Sequence, residues 1–449
     1  MSLLALPEEM LEVILLYVDV EDILNVLTVV GNRGSEGFWK RVSLKNGYKK
    51  LPEDTEWKCV FLRNVNWLKG CFVEHEYNIS DLSKDKPIGR NEYGQICLDC
   101  DDSSTHQTTS ENFRDSIFLK SHTLIFQKHN ELLVMDVETP KNLLQKLPGK
   151  SVNWCNASES KLLVKTPNSL TVYSLNAFNY EETFVWDLDC GFPLPRFFLS
   201  DDYFVGLTLS KEKCMTVVNL NTLEKYSQPF SEKGEPCSFD VCDHILNFIC
   251  LDGQHYVLRR FHLQKREKLK EVHMFQNAAM IQIPQIRINQ RAFVSWAVAL
   301  DNWSTMLLKC WRSQDSTHDS FNVVKTTFLG KSQQILWLLL ETDYVIFSTS
   351  KDVVSIVDLK DPESEMFVKI QEHGYLGQNI ISDFLVLSYT NCLKLVDIKS
   401  ATYVQQISFK SSFKFNRFRV NACFYIVYND YEDKGNGKLC IYDFRCKIQ

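Results

Sequence analysis

Hydrophobic positions fall at helical spacing near the start of the chain and at strand spacing over most of the rest. From Leu6 to Val18 the apolar side chains recur three or four residues apart, which places them on one side of a helix. Asp19 is a suitable N-cap for a second helix whose apolar residues include Ile23 and Leu27. The pattern therefore predicts two short helices that meet at a tight corner.

Two further stretches, Ser35 to Leu44 and Thr55 to Arg63, repeat the helical spacing, and Asp54 is a suitable cap for the second of them. The first two helices are shorter than the roughly 12 to 15 residues at which an isolated helix is stable in water, so both depend on packing. Leu16 and Tyr17 lie off the main apolar face of the first helix. We expect this surplus to contact a third helix or another protein.

The order of residues in these helices resembles the F-box family. The matching positions are Leu6-Pro7, Glu9, Leu11, Ile14-Leu15, Tyr17, Asp19, Glu21-Asp22, Leu24 and Phe38-Trp39-Lys40. The stretch from Val29 to Arg33 departs from the V-C-x-x-W segment of that family. The resemblance implies a small all-α F-box, a three-helix motif at residues 1–46, which docks on the Skp adaptor and through it on the cullin of a ubiquitin ligase. The positions implied in that contact are Leu6, Pro7, Met10, Leu11, Ile14, Leu15, Val18, Ile23, Leu24, Leu27 and Trp39.

A second resemblance lies where the helical pattern ends. Asn66-Trp67 and Gly70 are similar to the N-W-x-x-G signature found where F-box proteins of the WD-repeat type enter their propeller. The alternative is a tryptophan in the core of an interdomain hinge. Both interpretations make residues 47–75 a helical connector. The polar residues 76–115, which include DCDDSSTHQTTSEN, predict a linker or loop.

A strand pattern recurs over residues 116–449. Each copy is a short apolar strand that ends in a polar residue followed by an apolar one, as in LLVMDV at 132 and VSIVDL at 354. The polar positions lie 38 to 48 residues apart, near the about 40 to 45 residues of a WD-type propeller blade. These register positions are Asp136, Ser174, Asn219, His262, Cys310, Asp358, Asp397 and Asp443.

Each unit contains further strands around this one. An apolar strand lies upstream, as in YFVGLTL from 203, and a less regular strand lies downstream, which gives four strands per unit. The last unit ends after its third strand, so we expect Cys71 to Ile79 or Gln95 to Asp99 to supply the outer one. The period predicts an all-β, WD-like propeller of seven or eight four-stranded blades, with eight preferred by count. The resemblance is one of period, because the Trp-Asp and Gly-His signatures are absent.

Composition narrows the kind of partner. Apolar residues make up 45% and charged residues 24%, which suits a globular protein, and a formal charge of −6 argues against nucleic acid as a partner. The first residues lack the basic region of an export signal, and the apolar run Ile335 to Leu340 is too short to span a membrane and predicts a buried strand. Fifteen cysteines without an export signal are expected to be reduced thiols in a cytoplasmic or nuclear protein.

No catalytic or cofactor motif stands out. Cys97 and Cys100 form a CxxC pair without a second pair at zinc-site spacing, so we interpret them as ordinary strand cysteines. The repeated aspartates at strand ends are expected to accept hydrogen bonds from turn backbone rather than to catalyse. We therefore expect a non-catalytic protein without a metal or cofactor.

Two stretches contain candidate contacts with a target protein. The run RRFHLQKREKLK from Arg259 could attract an acidic or phosphorylated segment, but a solvated outer strand is the preferred interpretation. The aromatic stretch from Phe293 to Trp303 holds either pocket or core residues. The candidate target-binding residues are Arg259, Arg260, Trp296 and Trp303.

The sequence thus yields two hypotheses of different class. In the first, the chain is the substrate-recognition subunit of a Skp–cullin–F-box ubiquitin ligase, whose F-box docks the Skp adaptor and whose propeller binds the target protein. In the second, it is a non-catalytic propeller scaffold for protein assembly without a ligase. Neither hypothesis involves nucleic acid or a membrane.

Overall fold

The computed structural model describes part of the chain. The described ranges are 6–30, 34–50, 54–78, 117–120, 123–128, 131–137, 145–146, 154–158, 160–166, 169–176, 179–187, 196–208, 214–229, 236–242, 244–276, 285–289, 291–299, 305–313, 321–329, 335–349, 352–370, 375–409, 416–421, 423–429 and 438–445. The predicted linker at residues 76–115, with Cys97 and Cys100, lies almost wholly outside these ranges.

The chain begins with four helices: α1 Glu8–Leu15, α2 Val20–Val30, α3 Glu36–Lys45 and α4 Trp57–Lys69. Ser35 caps α3, because its Oγ accepts a hydrogen bond from the Phe38 N–H at 3.1 Å. Glu8 and Glu9 lie in the first turn of α1, where the helix dipole favours acidic side chains. The prediction of a small all-α N-terminus is confirmed.

All four helices share one hydrophobic core, which we call the helical core. Its buried members are Leu11, Leu15, Ile23, Leu27, Phe38, Trp39, Val42, Tyr48, Val60, Phe61 and Val65. The last three of these belong to α4. Three short helices would leave much of this apolar surface in water, and α4 covers it.

The fourth helix differs from its sequence prediction at both ends. It continues past Arg63 to Lys69 and ends at Gly70, whose φ of 65° is the left-handed conformation that glycine adopts readily. The predicted cap Asp54 is wrong, since the N-cap is Glu56 and Asp54 instead forms a buried ion pair with Arg63. A buried guanidinium is costly without a charged partner, whereas an exposed helix end can be solvated by water.

The strands follow as antiparallel sheets in chain order. The first strand, β1 Val73–Asn78, belongs to the last sheet. The next sheets are β2 Ile117–Lys120, β3 Thr123–Lys128, β4 Glu131–Asp136 and β5 Gln145–Lys146; then β6 Trp154–Ala157, β7 Lys161–Lys165, β8 Ser169–Asn176 and β9 Asn179–Asp187; then β10 Arg196–Leu199, β11 Tyr203–Thr208, β12 Cys214–Asn219 and β13 Lys225–Pro229.

The fourth of these sheets has five strands, because its outer strand is split in two. It consists of β14 Pro236–Cys242, β15 Ile245–Asp252, β16 His255–His262, β17 Glu267–Lys268 and β18 Val272–Gln276, with β17 and β18 both paired to β16. The remaining sheets are β19 Gln285–Ile288, β20 Ala292–Ala299, β21 Thr305–Ser313 and β22 Phe321–Leu329; then β23 Trp337–Glu341, β24 Tyr344–Ser348, β25 Val353–Asp358 and β26 Glu365–Lys369; then β27 Tyr375–Ile381, β28 Phe384–Tyr389, β29 Cys392–Asp397 and β30 Thr402–Ser408; and lastly β31 Asn416–Val420, β32 Phe424–Asn429 and β33 Lys438–Asp443, joined by β1.

The predicted repeat is confirmed at the level of the sheet. All eight register positions lie on the third strand of a sheet, and the described residues form eight such sheets. Four antiparallel strands in chain order are the blade pattern of β-propellers. The protein is therefore mostly β, and the closure of a ring and its number of blades stay predictions.

In several sheets, the apolar residue after the register position has the same role. Leu220, Leu359 and Phe444 are almost fully buried. Each donates its N–H to a carbonyl in the turn between the first and second strands, Leu220 to Asp202 at 2.8 Å and Leu359 to Asp343 at 2.7 Å. The repeated polar-then-apolar pair thus marks the point where the third strand ends against that turn.

The last sheet takes its outer strand from the N-terminal part of the chain, as predicted. β1 pairs with β33 in antiparallel register from Val73 opposite Asp443 to Asn78 opposite Lys438. The alternative donor, Gln95 to Asp99, lies outside the described residues.

The chain divides into two compact units, each with cores of its own. One unit is Met1–Cys155, Leu376–Val396 and Tyr403–Gln449, and the other is Asn156–Tyr375 and Asp397–Thr402. In the first unit Tyr425 and Tyr442 are fully buried among the strands of the last two sheets. In the second, the Phe293 and Trp311 rings stack with their centroids 4.4 Å apart.

One predicted strand is less buried than expected. The run Ile335 to Leu340 mostly forms β23, but Leu336 is 52% exposed and only Leu338, at 8% exposed, is buried. Successive side chains of a strand point to opposite faces of its sheet. A strand that is covered on one face therefore leaves alternate residues of an apolar run exposed.

Candidate functional site

The outward side of α1 carries a row of exposed apolar side chains. Met10, Val13 and Ile14 are 54%, 53% and 41% exposed, and Tyr17, just past the end of the helix, is 84% exposed. Their spacing of three, four and seven residues places them on one side of the helix. Grouped apolar side chains on a surface mark protein contacts. We call Met10, Val13, Ile14 and Tyr17 the α1 stripe.

The opposite side of α1 is held in the helical core. Leu11 and Leu15 are buried there, and Glu12 between them is buried as well. The Glu12 carboxylate accepts hydrogen bonds from the Ser35 N–H at 2.6 Å and from the Ser35 Oγ–H at 2.9 Å. Arg41 Nη2 lies 3.4 Å from the same carboxylate. Apolar packing and a polar link to the start of α3 therefore both hold α1.

Exposed acidic side chains precede and follow the α1 stripe in the chain. Glu8 and Glu9 come before it, and Asp19 and Asp22 come after it. Lys45 of α3 approaches from the side, with its Nζ 5.7 Å from the Tyr17 ring centroid and hydrogen-bonded to the Leu16 carbonyl. The α1 stripe is thus an apolar surface with acidic ends.

The structure separates the predicted adaptor-binding residues into three groups. Buried in the helical core are Leu11, Leu15, Ile23, Leu27 and Trp39. Half-buried at its edge are Leu6, Val18 and Leu24. Exposed are Pro7, Met10 and Ile14. The exposed group is placed to meet a partner, and the buried group holds the helices together.

The predicted set lacks Val13 and Tyr17, two members of the α1 stripe. Tyr17 stands out in the sequence as an apolar residue off the main face of the helix. Val13 gives no such signal, because helical spacing is compatible with either a buried or an exposed position beside Ile14. Which side of α1 is covered depends on how α3 and α4 pack, and the spacing within α1 does not contain that information.

The residues of the N-W-x-x-G resemblance join α4 to the last sheet. Asn66 Nδ2 donates a hydrogen bond to the Phe444 carbonyl at 2.7 Å. The Trp67 ring stacks on the Phe444 ring with centroids 3.6 Å apart and planes 10° apart. A Cβ added at Gly70 would lie 3.3 Å from Ile407 Cγ1, so the chain passes close to β30 at this glycine. α4 thus packs in the helical core through one half and on the last sheets through the other.

The two candidate arginines are engaged within the protein. They lie on β16, the third strand of its sheet, so the outer-strand interpretation of Arg259 and Arg260 is wrong. Arg259 pairs with Asp252 at 2.8 Å and with Glu271 at 2.9 Å. Arg260 is 3% exposed, and its guanidinium lies 4.8 Å from the Phe321 ring centroid. Both guanidinium groups are therefore occupied by contacts within the protein.

The two candidate tryptophans differ. Trp296 is half-buried and packs against a core cluster that includes Val294 and Leu308. Trp303 lies outside the described residues. Of the candidates that the structure describes, Arg259 and Arg260 are engaged within the protein and Trp296 packs beside a core cluster.

The aspartates at strand ends bind turn backbone, as predicted. Asp358 Oδ1 accepts the Lys360 N–H at 2.8 Å, and Asp397 Oδ1 accepts the Ser400 N–H at 2.7 Å. These carboxylates fix the turn that follows the third strand.

Two kinds of feature are absent from the described residues. No helix in them is both long and apolar enough to cross a membrane. Within the same ranges, no group of three or more histidine, cysteine, aspartate and glutamate side chains could hold a metal ion.

Comparison with known proteins adds a likeness of fold. No family model and no curated protein sequence matches the chain. Among solved structures, the chain is similar to the Dos1 propeller, at 12% identity over 73% of this chain and 90% of that one with a TM-score of 0.46. It is also similar to BamB from Moraxella catarrhalis, at 10% identity over 73% and 96% with a TM-score of 0.44. The computationally designed Ika8 protein has 12% identity over 73% and 96% and a TM-score of 0.48. Likeness at this level says nothing about activity or partners.

Proposed function

We propose that this chain is a substrate-recognition subunit of a Skp–cullin–F-box ubiquitin ligase. Its helical N-terminus docks the Skp adaptor through the α1 stripe, and its strand-rich remainder binds the target protein. The cullin is reached through the adaptor. Other subunits transfer ubiquitin, and this chain forms no covalent bond itself.

The observation that carries this proposal is the α1 stripe. The first two helices resemble the F-box, and α1 leaves Met10, Val13, Ile14 and Tyr17 exposed on one side. Apolar surface of this kind is stabilised when a partner removes it from water, at roughly 25 cal/mol per Å². The same helix is anchored on its other side, so its exposed side is available as a rigid docking surface.

The mechanism of such a subunit is proximity. A chain that holds the adaptor through α1 and a target through its sheets raises the local concentration of target lysines near the conjugating enzyme. α4 supports this role, because it packs both in the helical core and on Phe444 of the last sheet. Loops between strands are the expected contacts with a target, since binding residues concentrate on loops held by a rigid scaffold.

Co-purification tests the proposal directly. Tagged full-length chain is expected to retain the Skp adaptor and the cullin, and the variant Ile14→Asp is expected to lose both, because a carboxylate in the contact would be desolvated without a partner. Phe367→Asp is the matched control, since Phe367 is 62% exposed on β26 of the other unit. Retention of the adaptor by Ile14→Asp, or its absence from wild type, contradicts the proposal.

A scaffold without a ligase is the second candidate, and the joint at Asn66 and Trp67 favours it. In that case α4 and β1 serve to complete the last sheet, and the helices need no adaptor. The two candidates differ in one result: the scaffold predicts that the Skp adaptor does not co-purify with wild type.

A further inference from the structure

Glu12 is the one acidic residue of α1 that the fold buries. It is 5% exposed, whereas Glu8 and Glu9 are exposed in the first turn of the same helix. Its carboxylate lies at the N-terminus of α3, where it accepts two hydrogen bonds from Ser35 and approaches Arg41. An anion at this position is favoured by the N-terminal end of the helix dipole. Glu12 is therefore a directional link between α1 and α3.

The apolar contacts of α1 cannot supply such a direction. Leu11 and Leu15 favour burial on one side of the helix, but apolar attraction has no preferred angle and tolerates rotation and tilt. The two bonds to Ser35 have fixed lengths and donors, so they permit one setting of α1 against α3. The α1 stripe lies on the same short helix, hence its orientation is set by the same bonds.

Stability alone does not account for a buried carboxylate here. Taking a charge out of water is costly, and an apolar residue of similar size at a buried ionic position is often neutral or stabilising. Loss of the Glu12 carboxylate would not leave its partners without hydrogen bonds. Ser35 is exposed and the Arg41 side chain is 55% exposed, so water can replace the carboxylate.

We propose that Glu12 is a positioning residue for docking: through Ser35 it holds α1 in the setting that presents the α1 stripe to its partner. This inference rests on the proposed function for the identity of that partner. Without the link, α1 samples several settings, and the apparent dissociation constant is inversely proportional to the fraction of molecules in the competent setting. A competent fraction of about one tenth weakens binding about tenfold.

The test compares three variants of the full-length chain. Glu12→Leu removes the link, Glu12→Gln keeps the shape and an acceptor oxygen for Ser35, and Ser43→Ala is the control. Ser43 is fully buried on α3 and its Oγ has no hydrogen-bond partner in the described structure, so this change alters a buried polar group without touching the link. The measurements are the dissociation constant for purified Skp adaptor and the midpoint of thermal unfolding.

We expect the dissociation constant and the unfolding midpoint to respond differently to Glu12→Leu. Glu12→Leu weakens adaptor binding about tenfold while its unfolding midpoint is unchanged or higher, Glu12→Gln restores most of the binding, and Ser43→Ala binds as wild type does. Equal binding by Glu12→Leu and wild type overturns the proposal. A parallel fall of binding and midpoint also overturns it, because that pattern is purely structural.

A second readout does not need the adaptor. Methyl NMR signals of Met10 and Ile14 in the full-length chain should each be single in wild type and in Glu12→Gln, and broadened or multiple in Glu12→Leu. If wild type fails to bind the adaptor, the proposed function is wrong. The methyl signals still show whether Glu12 holds α1 in one setting. Identical Met10 and Ile14 signals in Glu12→Leu and wild type would refute the positioning role.

Discussion

At the scale of single residues, side chains with directional contacts determine how the N-terminal part is held. Glu12 links α1 to Ser35, Asp54 pairs with the buried Arg63, and Asn66 binds the Phe444 carbonyl. Apolar residues supply most of the stabilising free energy, but these polar groups select one arrangement among the packings that apolar contacts allow.

Trp67 is expected to contribute more to stability than any other residue of α4 that contacts the last sheet. It is 2% exposed and stacks on Phe444, so Trp67→Ala should cost about 3 to 5 kcal/mol in the free energy of unfolding. Trp57→Ala, at a half-buried position on the same helix, is the control and should cost clearly less. Urea denaturation of both variants measures the difference, and equal losses would show that the stack contributes little.

Tyr48 makes the helical core sensitive to alkaline pH. Burial raises the pKa of Tyr48 from 10.0 to about 12, so its neutral form is favoured in the folded state. Its contribution is fully present below about pH 10 and is lost as the pH rises toward about 12. Tyr48→Phe should therefore lose roughly 1 kcal/mol less than wild type between about pH 8 and about pH 11. Urea denaturation at both pH values measures this, and equal losses would contradict it.

At the scale of the elements, the clearest copies of the repeat share one junction. In these sheets the polar register residue ends the third strand, and the apolar residue after it, such as Leu220 or Leu359, is buried and donates its N–H to the turn before the second strand. Where this local contact recurs it requires the same two residue types, so the pattern could be read from the sequence. β8 and β21 instead continue past their register residues, Ser174 and Cys310.

Other features could not be predicted because they depend on distant segments. The end of α4 is fixed by Gly70 against Ile407, and the exposure of Val13 is fixed by the helices that cover the far side of α1. The positive run from Arg259 suggested a solvated strand, but its first two residues are paired within the sheet by acids and an aromatic ring. Spacing within a segment carries no information about such partners.

The strand β1 can be tested with two neighbouring substitutions. In an antiparallel pair, alternate residues direct their N–H groups toward the partner strand and away from it. His75 lies opposite Ile441 and Glu76 opposite Cys440, so one of the variants His75→Pro and Glu76→Pro removes a bond to β33 and the other does not. We expect one variant to be clearly destabilised in thermal unfolding and the other to be near wild type. Two unaffected variants would mean that β1 contributes little to the last sheet.

Asp343 joins two successive sheets within one unit. Its buried carboxylate lies 2.7 Å from Lys360 Nζ and 3.2 Å from Arg312 Nη2, with Arg291 at 3.7 Å. Because these cations are 31% to 57% exposed, solvent screens the pairs, and Asp343→Asn should cost about 1 to 2 kcal/mol rather than the larger penalty of a fully buried pair. Asp361→Asn, at a nearby exposed position, is the control for denaturation measurements. Equal stability of the two variants would contradict a linking role for Asp343.

At the scale of the whole molecule, the described chain combines four helices with eight antiparallel sheets. The outward apolar side chains of α1 are the feature that most directly suggests a partner. The sheets supply a scaffold whose last member is completed by β1 and held to α4 through Trp67. The proposed role as a substrate receptor follows from this combination of a docking surface and a rigid mount.

Titration of purified Skp adaptor with the full-length chain tests the central claim most directly. Wild type and Phe367→Asp should both bind with one-to-one stoichiometry, and Ile14→Asp and Tyr17→Asp should each bind at least about tenfold more weakly, a loss of roughly 1.4 kcal/mol or more. Calorimetry gives the stoichiometry and the dissociation constant together. Failure of wild type to bind, or binding by the two stripe variants as tight as that of wild type, would contradict the claim that the α1 stripe docks the adaptor.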